Sequence, residues 1–162
     1  MRLALALAAA FAASTAVAAP VTVALKTGAG APAGQVTLTE APKGVLVKIE
    51  AKGLTPGWHG LHFHEKADCS KADFTSAGAH THGPDKAVHG LLNPAANETG
   101  DLPNLYAAAD GSANAEVFSS LTTLKALQDA DGSALVIHAS PDDHMAQPIG
   151  GAGARVACGE IR

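Results

Sequence analysis

The chain has 162 residues with a formal net charge of −4, and only 4% of its residues are aromatic. This length suffices for one domain with a buried core. Because the chain has no basic run and few aromatic residues, its composition argues against nucleic acid and anionic membrane surfaces as partners.

The first residues differ in composition from the rest of the chain. Met1-Arg2 precedes an apolar, alanine-rich run, and small residues follow up to Ala19. This order is typical of a secretory signal peptide, which predicts a signal peptide over 1–19, a mature domain over 20–162 and a periplasmic protein. A buried alanine-rich helix is the alternative. The run is too short to predict a membrane span. No cysteine lies at the cleavage point, so a lipid anchor is not predicted there.

The predicted export also affects how the two cysteines, Cys69 and Cys158, are interpreted. An even pair in such a protein more often forms a disulfide than two free thiols. The alternative is a thiolate metal site, but the pair lacks zinc-ribbon spacing. We therefore expect a disulfide that closes a loop of most of the mature domain.

Short stretches of alternating polar and apolar residues, separated by turn residues, predict β-strands along the chain. Two strand pairs, 35–40 with 45–50 and 105–109 with 114–119, are predicted to be hairpins. The predicted strands cover 21–26, 35–40, 45–50, 59–64, 105–109, 114–119, 134–139 and 155–161.

Three further stretches do not show strand periodicity. Residues 121–130 favour one short helix or a loop with apolar side chains turned inward. Residues 65–103 and 141–153 are irregular, and loops of this length in a compact domain are functional or disordered. About eight short strands with two long loops predict an all-β sandwich or flattened barrel.

The segment from His59 to His64 gives the first indication of chemistry. In an extended strand His62 and His64 point to one face, and Phe63 points to the other. Two imidazoles on one face can ligate a metal ion, and imidazole suits copper and zinc. The pair gains weight from the other histidines with acids nearby, at positions 80, 82, 89 and 138.

Four segments carry a resemblance that runs in order through nearly all of the mature chain. Gly60–Glu65, Ser76–His80, Gly100–Pro103 and Gly151–Gly159 together resemble the copper/zinc superoxide dismutases. The resemblance implies an eight-stranded Greek-key β-barrel or sandwich, a fold class for which this family is itself a standard example. It also implies copper and zinc as cofactors and superoxide as substrate, and the predicted signal peptide suggests a secreted bacterial member.

By position, four histidines resemble the copper ligands of that family, and one of them resembles the imidazolate that bridges copper to zinc. The bridging position is His80. The residues themselves support this assignment most clearly at His138, because it ends a predicted buried strand, where a polar side chain needs a partner. The copper set is His62, His64, His80 and His138.

The zinc half of the resemblance departs from the family pattern. His89 and Asp101 resemble zinc ligands beside His80, but a histidine is expected three residues before the aspartate, where this chain has Glu98. Glutamate can ligate zinc through oxygen. His82 is the alternative fourth ligand, and both residues could also be solvated loop residues.

Two further residues resemble functional positions. Arg155 resembles the arginine at the mouth of the active-site channel, whose guanidinium can hold a small anion, with a structural salt bridge as the alternative. Asp142 resembles a carboxylate that connects a copper ligand to a zinc ligand and orients both.

The resulting hypothesis is dismutation of superoxide to oxygen and hydrogen peroxide at copper, with Arg155 holding the anion and His80 supplying a proton. One rival is a copper-binding or copper-delivery module of the same fold, and another is a structural β-sandwich with incidental histidines. Arg155 and the four-histidine set favour the enzyme. Whether the chain forms a homodimer stays open, because apolar strand residues do not distinguish core from interface.

Overall fold

The computed structural model describes residues 19–162, so the predicted signal peptide lies outside the described residues except for Ala19. The described chain consists of short β-strands with one turn of 3₁₀-helix at Thr75–Ala77 and one turn of α-helix. Its elements are β1 Val21–Thr27, β2 Pro32–Ala41, β3 Gly44–Ala51, β4 Gly57–His59, β5 Leu61–His64, β6 Leu105–Ala107, β7 Ala113–Ser119, α1 Leu124–Leu127, β8 Ser133–His138 and β9 Arg155–Ile161.

The strands form one curled antiparallel sheet and one small sheet. The large sheet has the strand order β5-β8-β9-β1-β2-β3-β7, and β4 pairs with β6. In β3, Val45, Val47 and Ile49 are buried, whereas Lys48 is exposed between them. This period of two places one face of the sheet against the core. The architecture confirms the predicted all-β Greek-key class.

The predicted strand over 59–64 is two strands in two different sheets. The chain breaks at Gly60, whose N–H donates to Ser140 O and whose carbonyl accepts from His138 N–H. A Cβ at Gly60 would lie 2.7 Å from the Ala152 side chain, so the corner needs glycine. The alternating pattern continues across this corner, which is why the pattern alone predicted one strand.

The predicted hairpin of 105–109 with 114–119 is also wrong in its pairing. The turn at Asp110-Gly111 exists, but β6 pairs with β4 and β7 pairs with β3. The hairpin of β2 with β3 is confirmed. In the stretch 121–130, α1 is one turn long, and it buries Leu124 and Leu127 as apolar plugs.

Two apolar clusters hold the sheets and the first long loop. The main cluster fills the barrel, with fully buried side chains such as Leu38, Ile49, Phe63 and Leu135. A smaller cluster lies beneath the loop over 65–103 and contains the predicted disulfide between Cys69 and Cys158. The disulfide joins this loop to β9. Within residues 19–162, no helix is long and apolar enough to cross a membrane.

Candidate metal centre

One edge of the large sheet gathers four imidazoles. His62 and His64 lie on β5, and His138 ends the neighbouring strand β8. His80 comes from the long loop and forms an isolated bridge with His64. One ring nitrogen from each of the four lies within 4.8 Å of the others, and all four residues are buried.

Hydrogen bonds at the far side of each ring aim the near nitrogen into the cluster. His64 Nδ1–H donates to Gly78 O at 3.0 Å, and His138 Nδ1–H donates to Gly153 O at 3.1 Å. A neutral imidazole that donates one N–H keeps a lone pair on its other nitrogen. Each ring of the cluster has one buried nitrogen without a hydrogen-bond partner: His62 Nδ1, His64 Nε2, His80 Nε2 and His138 Nε2.

The same cluster disfavours protonation of most of its imidazoles. Burial lowers the pKa of His62 and His64, and it lowers the pKa of His138 to about 3. Like charges within the cluster lower these pKa values further. The three rings are therefore neutral at physiological pH, with lone pairs available to a metal ion that accepts imidazole, such as copper.

A second donor group lies on the other side of His80. His80 Nδ1 and His89 Nδ1 lie 2.8 Å and 2.9 Å from Glu98 Oε2. Asp101 Oδ1 lies 2.9 Å from His89 Nδ1, and its other oxygen accepts from Gly90 N–H at 2.8 Å. Two imidazole nitrogens and two carboxylate oxygens at this spacing match the donor set and number that zinc takes.

The carboxylates reverse the protonation preference on this side. Burial opposes a charge on His89, but the carboxylates of Asp101, Asp142 and Glu98 outweigh it and raise its pKa to about 11. His80 has a raised pKa for the same reason, since Asp101 and Glu98 outweigh burial. Burial favours the neutral form of Asp101, but His80 and His89 outweigh burial and hold the pKa of Asp101 below its usual range.

His82, the alternative ligand, does not join this group. Its Nδ1 lies 2.5 Å from Gly83 O, and its backbone only bridges to that of Glu98. Glu98 is 7% exposed and its Oε2 contacts both His80 and His89, whereas His82 is only partly buried. The structure therefore places Glu98, and not His82, among the donors around His80 and His89.

Asp142 links the two donor groups. Its carboxylate accepts from His62 Nε2 at 2.6 Å and lies 3.1 Å from His89 Nε2. Asn104, which the sequence analysis missed, fixes the Asp142 backbone from both sides. Its amide donates to Asp142 O at 2.8 Å, and its Oδ1 accepts from Asp142 N–H at 2.9 Å. No spacing rule marks a single asparagine for such a contact.

Arg155 lies near the four-imidazole cluster, since its charge, besides burial, contributes to the lowered pKa of His64 and His138. Its guanidinium donates to Phe74 O at 2.5 Å and to Gly78 O at 2.6 Å, so neutral carbonyls hold it and its charge stays available. Gly78 O also accepts from His64, which connects the arginine to the cluster. A pocket of about 320 Å³ opens in front of Arg155.

The remaining histidines support the site from outside. His59 is buried, and its two ring nitrogens lie 2.6 Å and 2.7 Å from the carbonyls of His138 and Thr55. This contact holds the end of β8, where the cluster histidine lies. His144 approaches Asp142 through its backbone, whose N–H donates to the carboxylate at 2.6 Å.

Comparisons with known proteins agree on one family. A sequence model described as copper/zinc superoxide dismutase (SODC) matches residues 32–161. A Cu-Zn superoxide dismutase of Caulobacter vibrioides is 64% identical over 147 residues, which cover 87% of this chain and 84% of the relative. Cu-Zn superoxide dismutase 2 of Aquifex aeolicus is 42% identical over 135 residues, or 80% and 78% of the two chains.

Solved structures show the same likeness. The Cu/Zn superoxide dismutase from Brucella abortus superposes with a TM-score of 0.75 at 32% identity, covering 89% of this chain and 100% of its own. A SOD-like protein from Bacillus subtilis superposes with a TM-score of 0.77 at 34% identity, covering 87% and 97% of the two chains.

Proposed function

We propose how this chain, which belongs to the copper/zinc superoxide dismutase family, holds its two metals and handles its substrate. Its activity is the dismutation of superoxide to oxygen and hydrogen peroxide, and its cofactors are copper and zinc. The observation that carries the residue assignment is the set of four buried imidazole nitrogens that converge without hydrogen-bond partners.

These four nitrogens are the proposed copper ligands. Their rings are held by contacts on the opposite nitrogen, which is how ligating histidines are usually oriented. When bound, copper supplies the one-electron exchange that oxidises one superoxide to oxygen and reduces the next to peroxide. Two strands of the sheet carry His62, His64 and His138, so most of the set is positioned by the barrel itself.

The proposed zinc ligands are His80, His89, Asp101 and Glu98. Support for Glu98 comes from its Oε2, which lies within 2.9 Å of both histidine Nδ1 atoms. His62 also lies near this group, but its Nε2 is engaged by Asp142 and its Nδ1 faces the copper side. Two carboxylates in place of one give this site one more negative charge than the family pattern has.

Two side chains act on the substrate in this proposal. Arg155 attracts and holds superoxide at the entrance, because its charged guanidinium lines the pocket beside the cluster. His80 carries one of the two protons that peroxide needs, at Nε2. Its Nε2 faces the copper ligands while its Nδ1 faces the zinc ligands, so the ring connects the two groups. Asp142 keeps His62 and His89 in place during turnover.

We also propose a periplasmic location and a homodimer. The disulfide Cys69–Cys158 fits an oxidising compartment. Support for a dimer comes from the outer face of the small sheet, where Trp58 and Tyr106 are 54% and 55% exposed with ring centroids 5.0 Å apart. Sedimentation equilibrium of the wild type and of Trp58→Glu tests the dimer, since the charge should give monomers.

The function is tested with the purified protein loaded with copper and zinc. We expect rapid superoxide consumption in the wild type, loss of copper and activity together in His138→Ala, and retained copper with a slower reaction in Arg155→Ala. Full copper loading without activity would instead favour a copper-binding module. No stoichiometric metal after purification would favour a structural sandwich.

A further inference from the structure

The pocket in front of Arg155 has a lining of mixed charge. It is formed by Asp73, Thr75, Gly153, Ala154 and Arg155. The Gly153 carbonyl also accepts a hydrogen bond from His138, so one residue of the pocket wall contacts the four-imidazole cluster. A small anion held by Arg155 in this pocket therefore shares the pocket with an aspartate.

The carboxylate of Asp73 is fixed at the rim of this pocket. Its Oδ1 accepts from Thr75 N–H at 3.0 Å and from Thr75 Oγ1–H at 2.8 Å. These bonds hold the pKa of Asp73 below its usual range, and the residue is solvent-exposed. The carboxylate is therefore charged at neutral pH. It interacts electrostatically with Arg155 without forming a contact ion pair.

We propose that Asp73 slows substrate capture, because its negative charge opposes the attraction of Arg155 for superoxide. The proposal rests on the function given to Arg155 above. A unit charge acting over roughly 8 Å of water changes the local concentration of a monoanion about twofold at low ionic strength. Salt screens this effect, because the Debye length is about 8 Å at physiological ionic strength.

The test is Asp73→Asn, because the asparagine side chain keeps the oxygen that accepts from Thr75 and loses only the charge. The chain offers a matched control in Asp110. Its Oδ1 accepts from Ser112 N–H at 2.9 Å and from Ser112 Oγ–H at 2.7 Å, in the turn between β6 and β7 and outside the pocket lining. Asp110→Asn makes the same chemical change and the same change in net charge.

Two measurements are made on the copper- and zinc-loaded proteins over a range of salt concentrations. The first is the second-order rate constant for superoxide, measured by pulse radiolysis. The second is the dissociation constant of azide, a monoanion, measured by optical titration of the oxidised protein. For Asp73→Asn we expect a rate about twofold higher and an azide dissociation constant about twofold lower at low ionic strength, both converging on the wild type as salt rises.

Asp110→Asn should match the wild type in both measurements. Equal values for the two variants, or a gain in Asp73→Asn that does not depend on salt, would overturn the proposal. If the wild type consumed no superoxide, the proposed function would fail, and the azide titration would still decide whether Asp73 opposes anion binding.

Discussion

At the scale of single residues, His89 determines how zinc and protons compete. Its pKa of about 11 means that the side chain carries a proton at neutral pH unless a metal replaces it. Zinc binds the neutral imidazole, so that proton must leave. The copper side differs, because His138 has a pKa of about 3 and binds a metal without losing a proton.

Zinc uptake at neutral pH should therefore release about one proton or more, whereas copper uptake should release a proton only from His80, the one copper ligand whose pKa is raised. Apparent zinc affinity should rise with pH up to the pKa of His89, since fewer proteins then carry the competing proton. Titration calorimetry in buffers of different ionisation enthalpy measures the proton count. Identical heats for zinc in all buffers would contradict the prediction.

Asn104 allows a second prediction at this scale. Replacing it with alanine removes both contacts that hold the Asp142 backbone, so the carboxylate between His62 and His89 loses its fixed position. Loss of such an orienting contact typically costs about 10- to 100-fold in metal affinity. We expect that loss for zinc in Asn104→Ala, measured by competition with a chelator.

The matched control for this variant is Asn114→Ala, an exposed position on β7. It should leave zinc affinity unchanged. An equal loss in both variants, or a loss in Asn104→Ala explained by unfolding of the metal-free protein at the assay temperature, would count against this role of Asn104.

At the scale of structural elements, the disulfide holds the first long loop on the sheet. Cys69 lies in that loop and Cys158 on β9, three residues after Arg155. The arginine in turn donates to the loop carbonyls of Phe74 and Gly78. One covalent bond thus fixes both the loop and the position of the anion-binding side chain.

The double substitution Cys69→Ser with Cys158→Ser should lower the free energy of unfolding by about 2–5 kcal/mol. It should also slow superoxide consumption, because the loop whose carbonyls hold Arg155 would no longer be fixed to β9. Urea unfolding measures the first effect, and reduction of the wild type should reproduce it. A double variant as stable as the oxidised wild type would show that packing around Phe74 suffices.

Strand positions were predictable from alternation, but strand partners were not. The turn at Asp110-Gly111 has clear sequence signals, yet it carries the chain from β6 in one sheet to β7 in the other. A turn specifies that the chain reverses and does not specify which edge the next strand joins. Gly60 shows the same limit, because its role as a corner depends on Ala152 and Ser140, far along the chain.

At the scale of the whole molecule, the site was predictable only in part. The candidate histidine ligands could be predicted from their spacing and from the family resemblance, because both depend only on which residue stands at each position. The resemblance left Glu98 and His82 as alternatives, and only the folded chain shows that Glu98 contacts His80 and His89 while His82 contacts Gly83. Asn104 could not be found because its role arises from contact with a residue 38 positions away.

Metal removal should weaken the whole molecule. The two donor groups join β5, β8 and the long loop, and they exist only in the folded chain. A ligand that binds only the folded state adds about 4 kcal/mol when present at a thousand times its dissociation constant. Chelation should therefore lower the melting temperature, measured by calorimetry, and added zinc should restore most of it. An unchanged melting temperature after complete demetallation would contradict this linkage.

The carbonyl of Gly78 has a consequence for protein engineering. It accepts from His64 and from Arg155, yet it belongs to the main chain, so no side-chain substitution removes it. A mutational scan would report only that position 78 prefers glycine, because φ is +78° there and a Cβ would meet Glu65. Grafting the histidines and the arginine onto another scaffold would therefore not transplant the centre unless the new backbone also supplied this oxygen.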